Sequence, residues 1–594
     1  MKTTSVSERL ASLRRSMNEH GYSAVIVTNN DPHSSEYSAS HWLARNWVSG
    51  FTGSAGNAVV TADAGGVWTD GRYYIQAEEQ LTGSSLSLFK AKESATPSIA
   101  QWLAQTLPAQ SVVGVDGRSI SAAFHQELVS ALTPKEIKLE LKDLITANWQ
   151  DRPSRPDSAI FEHELQFCGE SIAEKLSRLR RYLNDKGSDG LLVSTLDDVM
   201  WTLNIRGGDT PYCPISESYL LLTADTCHLF IDRFKLNASL EKQLLEQGIV
   251  TLEYDNVADS INQLPHQAVM HYSATHTDSL LVSSIHASLT LVDEPCIVTQ
   301  MKAQKNATEL RSMEHTLIQD GVAMTAFMYW LEQQVPGGQV TELAAEQTLQ
   351  SFRKSIPLYI SDSFRTIAGF AEHGAKMHYA ADTASNALVD ESNFFLVDSG
   401  GQYHGGTTDI TRTFHFGTPT LQQRRDYTLV LKAVIRLTQA KFLKGTTGAN
   451  LDILARGILW QHGIDYKCGT GHGVGIGLNV HEGPQNFSQN LKEVALQTGM
   501  VITNEPGVYR EGEYGVRIEN IMKVVEVETN EFGEFYGFET ITIAPIATNA
   551  LELSMLDNTD KVWLNQYHQR VFQLLSPHLD KPLSQWLQVA TQAI

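Results

Sequence analysis

The stretch Phe394-Phe395-Leu396-Val397-Asp398-Ser399-Gly400-Gly401-Gln402-Tyr403-His404-Gly405-Gly406-Thr407-Thr408-Asp409-Ile410-Thr411-Arg412-Thr413 reads as two β-prone runs around a glycine-rich turn. Such a hairpin sets Asp398 and Asp409 on facing strands, within reach of one another. The pattern returns further on, where Val501-Ile502-Thr503-Asn504-Glu505 leads into a Pro506-Gly507 turn and Val516-Arg517-Ile518-Glu519-Asn520 comes back. Four carboxylates embedded in apolar strands are costly to bury unless cations compensate them. Between the hairpins, Gly469-Thr470-Gly471-His472-Gly473-Val474-Gly475 is expected as a flexible loop that brings the His472 imidazole to the cluster. Two Asp, two Glu and one His carry four negative charges, which two divalent ions balance. Oxygen donors with a single nitrogen favour Mn²⁺ or a similarly hard ion. Two ions ~3.5–4 Å apart can share a hydroxide and polarise a carbonyl.

Outward from this cluster, the chain shows an internal repeat. The segment from Glu8, ERLASLRRSMNEHGYSAVIV, aligns without gaps to the segment from Glu174, EKLSRLRRYLNDKGSDGLLV. Each copy predicts an amphipathic helix, stopped by Gly21 or Gly187, then an apolar strand. In the first copy Ser7 is expected to cap the helix, with Leu10, Leu13 and Met17 on its inner face. Residues 68–77 (WTDGRYYIQA) and 229–238 (LFIDRFKLNA) extend the likeness, so two related α/β domains stand in tandem. Trp68, Asp70, Arg72, Tyr73 and Tyr74 are read as a strand-and-turn core element rather than a site. The prolines of Asp151-Arg152-Pro153-Ser154-Arg155-Pro156 suit an extended linker, and a second junction falls near Lys302–Asn306. Beyond it, Thr308 to Val335 is expected as a long helix burying Leu310, Met313 and Leu317. Near the end, Asp560 to Ser576 is expected as a helix burying Trp563, Tyr567, Val571 and Leu574. The expected domains are 1–152, 153–305 and 306–594, the last with a helical extension from about 555.

The length of 594 residues suits roughly three to four domains. A formal charge of −21 argues against nucleic acid or an anionic membrane as partner. No apolar run approaches the ~20 residues of a spanning helix. No targeting signal is read in the first residues, and the five cysteines, without a C-x-x-C pair, read as unpaired buried thiols. The expected compartment is the cytoplasm.

The strings VDSGGQYHGGTTDITRT, GTGHGVGIGLNVHEGP, TNEPGVY and GVRIEN closely resemble the pita-bread metallopeptidases, in particular the aminopeptidase P (Xaa-Pro aminopeptidase) family. FTGSAGNAVVT (51–61), VWTDGRYYIQAE (67–78), DRPSRP and WTLNIRGGD (201–209) resemble its long, three-domain cytosolic branch. The resemblance runs from about residue 8 to 580. It implies an α/β (α+β) chain of two creatinase-like domains followed by a pita-bread catalytic domain.

Carried over by position, the family's metal ligands fall on Asp398, Asp409, His472, Glu505 and Glu519, with Asp409 and Glu519 bridging two ions. Its outer histidines, which bind the scissile carbonyl, match His378 and His481, and an ordering arginine matches Arg517. The implied reaction releases the first residue of short peptides with proline second, through attack by a metal-bridging hydroxide. Glu505 then serves as base and acid, with His481 and His378 at the oxyanion. The resemblance also implies a homodimer formed through the third domain, and a first domain that lines the entrance or a partner's site. Ala381 and Thr540 stand where the family usually has proline, and Glu372-His373-Gly374-Ala375 lacks its usual Asn-Gly. The alternatives are a prolidase-like Xaa-Pro dipeptidase, a metal-free creatinase-like amidinohydrolase and a non-catalytic binding module. Retention of all five ligand positions argues against the last two.

Overall fold

A computed structural model describes residues 4–594. The described chain divides into two compact units: residues 4–163, 170–211 and 215–298 form one, while residues 164–169, 212–214 and 299–594 form the other.

The first unit holds the repeat. Its first helix, Val6–His20, buries Leu10, Leu13 and Met17 and ends at Gly21 with φ 77°, while its counterpart Ile172–Lys186 ends at Gly187 with φ 63°. The cap is Ser5 rather than Ser7: the Ser5 hydroxyl accepts from Glu8 N–H, and the Glu8 carboxylate answers to Ser5 N–H, a reciprocal box that Ser7 is too late to make.

Each helix leads into the fourth strand of a six-stranded sheet. In the first the spatial order is Ser87–Lys90, Gly65–Thr69, Asn57–Thr61, Ala24–Val27, Val112–Val115 and Lys138–Leu141. In the second it is Ile249–Leu252, Cys227–Ile231, Ser218–Thr223, Gly190–Val193, Val269–Tyr272 and Thr290–Asp293. Both mix parallel and antiparallel pairings in the same sequence. Trp68 lies in its strand with its ring stacked on Phe89, and Asp70 pairs with Arg72, as a core element should. No helix or strand occupies 151–160.

The loops that leave the carboxyl ends of equivalent strands meet. Ala122 N–H donates to Thr277 O, and Ser279 N–H donates to Ile120 O, each over 2.9 Å. The buried His33 ring binds the Ser194 carbonyl and the Tyr254 hydroxyl, both at 2.7 Å. In many α/β folds this edge is where ligands bind; here the two domains fill it with one another.

The second unit opens with the helix Ala307–Gln334, capped by Asn306, with Met313 and Leu317 buried and Leu310 half-buried. A six-stranded sheet runs in the order Lys441–Leu443, Gly533–Thr540, Asn520–Asn530, Val501–Asn504, Gly471–Gly473, Glu482–Phe487. A three-stranded sheet of Ile367–Phe370, Phe395–Ser399 and Ile410–Phe414 carries the quoted stretch. The late helix is Asn558–Leu575, and its buried face is Leu564, Tyr567, His568, Val571 and Leu575. Trp563 and Leu574, expected at its centre, lie half-buried at the edge. Among the described residues no helix is long and apolar enough to cross a membrane. Cys168, Cys213 and Cys227 are buried as expected, whereas Cys296 and Cys468 are half-buried.

Candidate metal centre

Both hairpins are more elaborate than a single turn. Asp398 pairs with Thr411 in the first, but the glycine-rich stretch is no simple turn: it forms a nested ribbon of Gly401–Tyr403 and Gly406–Thr407. In the second, Asn504 pairs with Asn520, and beyond them a separate ribbon joins Gly507–Arg510 to Tyr514–Arg517. The chain therefore reverses near 511–513 rather than at Pro506-Gly507. Pro506 has no N–H to give a ladder, so pairing lapses there. Glu505 and Glu519 sit at that lapse, and Asp409 at the matching one between Thr407 and Ile410. Outside the ladders, Glu505 N–H donates to Thr470 O at 2.8 Å and Glu519 N–H to Thr411 O at 3.1 Å, which holds these two positions beside the strands that carry the other acids and His472.

His472 lies in the strand Gly471–Gly473, not in a flexible loop. The flanking glycines serve close strand approach. A Cβ on Gly471 would collide with the Thr503 carbonyl, and one on Gly473 with that of Glu482. The His472 Nδ1 lies 2.9 Å from the Gly473 carbonyl, which can only accept, so Nδ1 carries the hydrogen. Its Nε2 then faces Asp409 Oδ2 at 3.4 Å and Glu505 Oε1 at 3.3 Å.

Three sets of side chains bring donor atoms within 4.8 Å of one another: Asp398, Asp409 and Glu519; His472, Glu505 and Glu519; and Asp409, His472 and His481. All five expected ligands thus converge, and Asp409, Glu519 and His472 each belong to two sets. His481 comes as close as the expected ligands do, its ring meeting that of His472 edge to face with centroids 4.3 Å apart. His378 is half-buried in the turn after the short helix Ala371–Ala375 and, among the described residues, is in none of these sets.

Arg517 is buried and donates to Asp398 Oδ2, to Thr411 Oγ1 at 3.0 Å and to the Tyr509 hydroxyl at 2.6 Å. Thr411 in turn donates to Glu519 Oε2 at 2.7 Å. Burial pushes the Asp398 carboxyl up to about 6, with Asp409 and Glu505 adding to the rise and Arg517 opposing it. Burial and the neighbouring Asp409, Glu505 and Asp398 hold Glu519 well above the usual carboxylate range. Burial disfavours charge on His472, but Asp409 and Glu505 outweigh it and push the imidazole up to about 9. Asp398 Oδ1 and Glu519 Oε1 are buried without a hydrogen-bond donor. Orphaned acceptors among mutually repelling acids, with one aimed imidazole nitrogen, fit a pair of hard divalent cations.

The motif reading missed the residues that hold this cluster in place. Thr411 and Thr503 look like ordinary strand threonines, yet Thr503 accepts from His472 N–H at 3.0 Å and donates to Glu505 Oε1 at 3.3 Å. Glu482, beside His481, is buried against Lys305 and Lys302; a lysine pair at a domain junction was the available signal.

Residues 311–526 match the model of metallopeptidase family M24, and 534–594 that of the C-terminal region of that family. Residues 9–149 and 151–309 match two models of the creatinase/prolidase N-terminal domain. Fold and site together define a metallopeptidase. The chain is 38% identical to a probable Xaa-Pro aminopeptidase P of Laccaria bicolor, over 98% of this chain and 93% of that one. The crystal structure of X-prolyl aminopeptidase from Caenorhabditis elegans, described as a cytosolic enzyme with a di-nuclear active site, matches with a TM-score of 0.95 at 32% identity, covering 100% of both chains. A Xaa-Pro dipeptidase from Bacillus anthracis matches with a TM-score of 0.51 at 26% identity, covering 63% of this chain and 99% of its own. The chain belongs to the aminopeptidase P family of the M24 metallopeptidases.

Proposed function

We propose that this chain is a dinuclear metal-dependent aminopeptidase that removes the first residue from short peptides whose second residue is proline. The observation that carries the reading is the convergence of Asp398, Asp409, His472, Glu505 and Glu519 in a chain alike over its full length to Xaa-Pro aminopeptidases. These five residues would hold two divalent cations, with Mn²⁺ the ion that the oxygen-rich donor set favours. When bound, such ions would polarise the scissile carbonyl and lower the pKa of a water, so that it loses a proton more readily and becomes a better nucleophile.

The bond is a tertiary amide whose proline nitrogen bears no hydrogen, so recognition rests on the other end of the substrate. The free amino terminus is drawn toward the carboxylates. Glu505 takes the proton of the attacking water and passes it to the departing proline nitrogen as the C–N bond breaks. His481, assisted by His378, donates to the oxygen that gains charge in the tetrahedral state. Arg517, through Asp398 and Thr411, keeps the acids in register.

The same reading takes the chain as a cytoplasmic homodimer paired through its third domain, with domain limits at 152/153 and 305/306. A Mn²⁺-dependent digest of mixed peptides, read by mass spectrometry, tests it. Loss of amino-terminal residues only where proline follows is the expected result. Cleavage of Xaa-Pro dipeptides alone points to a prolidase, and no cleavage with no stoichiometric metal to a binding module.

A further inference from the structure

Among the described residues, eight non-glycines hold a left-handed φ, and only two of them, Tyr212 (φ 68°) and Ala371 (φ 51°), fall in the second unit. Ala371 opens the short helix that leads to the His378 turn. Tyr212 is the sharper outlier, because a bulky side chain in that region carries a backbone strain that glycine or asparagine largely avoids. Strain kept at such a position points to a use for the side chain.

The surroundings of Tyr212 say what that use is. Residues 212–214 group with the second unit although their neighbours on both sides group with the first. Gln402 Nε2 donates to Tyr212 O at 3.0 Å and to Leu478 O at 2.7 Å, and Cys213 Sγ donates to Asn479 Oδ1 at 2.7 Å. Gln402 lies in the nested ribbon that leads to Asp409, and it also accepts from Thr407 Oγ1 at 2.8 Å. Leu478 and Asn479 belong to the loop that ends at His481. The phenol feels the charges of Arg365, Glu346 and Asp362, and the Arg365 guanidinium donates to Ala381 O, three residues past His378. Tyr212 is half-buried, so its ring is neither core nor fully in solvent. Its backbone is thus tied, through Gln402 and Cys213, to the loop that ends at His481, and its phenol feels the arginine that holds the segment after His378.

The geometry points to Tyr212 as a substrate-contacting residue, whose ring receives the pyrrolidine of the peptide's second residue. A flat aromatic face is a good platform for a proline ring, and lined grooves of this kind recognise proline elsewhere. The inference rests on the proposed Xaa-Pro specificity and adds a specificity determinant to it.

The test compares the full chain with Tyr212→Gly and Tyr212→Phe on an Xaa-Pro-Xaa tripeptide with Mn²⁺. Glycine relieves the backbone strain, so Tyr212→Gly should keep its melting temperature within about 2 °C and keep the stabilisation by Mn²⁺. Its KM should rise about tenfold with kcat within about threefold, and Tyr212→Phe should keep KM within about threefold. Should the glycine variant not fold, Tyr212→Asn, which also tolerates the conformation, takes its place. A wild-type KM in the small-residue variant overturns the inference alone, as does a KM rise matched by lost Mn²⁺ stabilisation. A wild-type chain that leaves Xaa-Pro bonds intact overturns the proposed function and this inference with it.

Discussion

At the scale of single residues, Glu505 is held by Thr503 on one side and faces His472 on the other. Its replacement by Gln should keep the fold but abolish turnover, because an amide can neither take nor return a proton. His481→Ala should lower kcat by about 10² or more, as removal of an oxyanion donor does; steady-state kinetics on a proline tripeptide checks both. Glu519 gives an opposite signature. It is buried, lacks a donor on Oε1 and is surrounded by acids. Glu519→Gln should therefore raise the melting temperature in a chelator while removing the rise that Mn²⁺ gives the wild type, both read by thermal denaturation. The five candidate ligands were legible in the sequence because acids in β-prone runs stand out. The threonines beneath them were not, since a hydroxyl that orients a carboxylate has the same local pattern as one that merely fits a strand.

At the scale of elements, the helix Asn558–Leu575 shows how far periodicity reaches. Its span was legible to within two residues, but the buried face is turned toward Leu564 and Leu575 because the chain packs His568 inward, where its Nε2 accepts from Ile546 N–H. Leu564→Ala should cost about 2–5 kcal/mol and Trp563→Ala less, as measured by denaturant unfolding. The nested ribbons were illegible for a different reason. Pro-Gly is a strong turn signal, yet here the proline interrupts a ladder that resumes beyond it.

At the scale of the whole molecule, acid should be damaging in a predictable window. Burial pushes His568 down to about 4 and His33 down to about 3, while each titrates near 6.5 when unfolded. The unfolded chain therefore binds more protons below 6.5, and stability that is complete above that pH declines toward the folded values. For His568 the loss by pH 5 is about 2 kcal/mol. His568→Gln, which can still accept from Ile546, should show a smaller fall in unfolding midpoint between pH 7 and pH 5 than the wild type.

The duplication was legible from the repeated helix and strand, and the matching strand orders follow from it. What the duplicated sheets do with their carboxyl ends was not legible, because the partners of Ile120, Ser194 and Thr277 lie far away in sequence. That mutual capping makes neither leading domain a self-sufficient piece. Nicking the chain between Asp151 and Pro156 should leave the halves clasped, and expressing one alone should bare the seat of His33 to water. The pair should melt as one cooperative body, so a lesion in either would be felt in both.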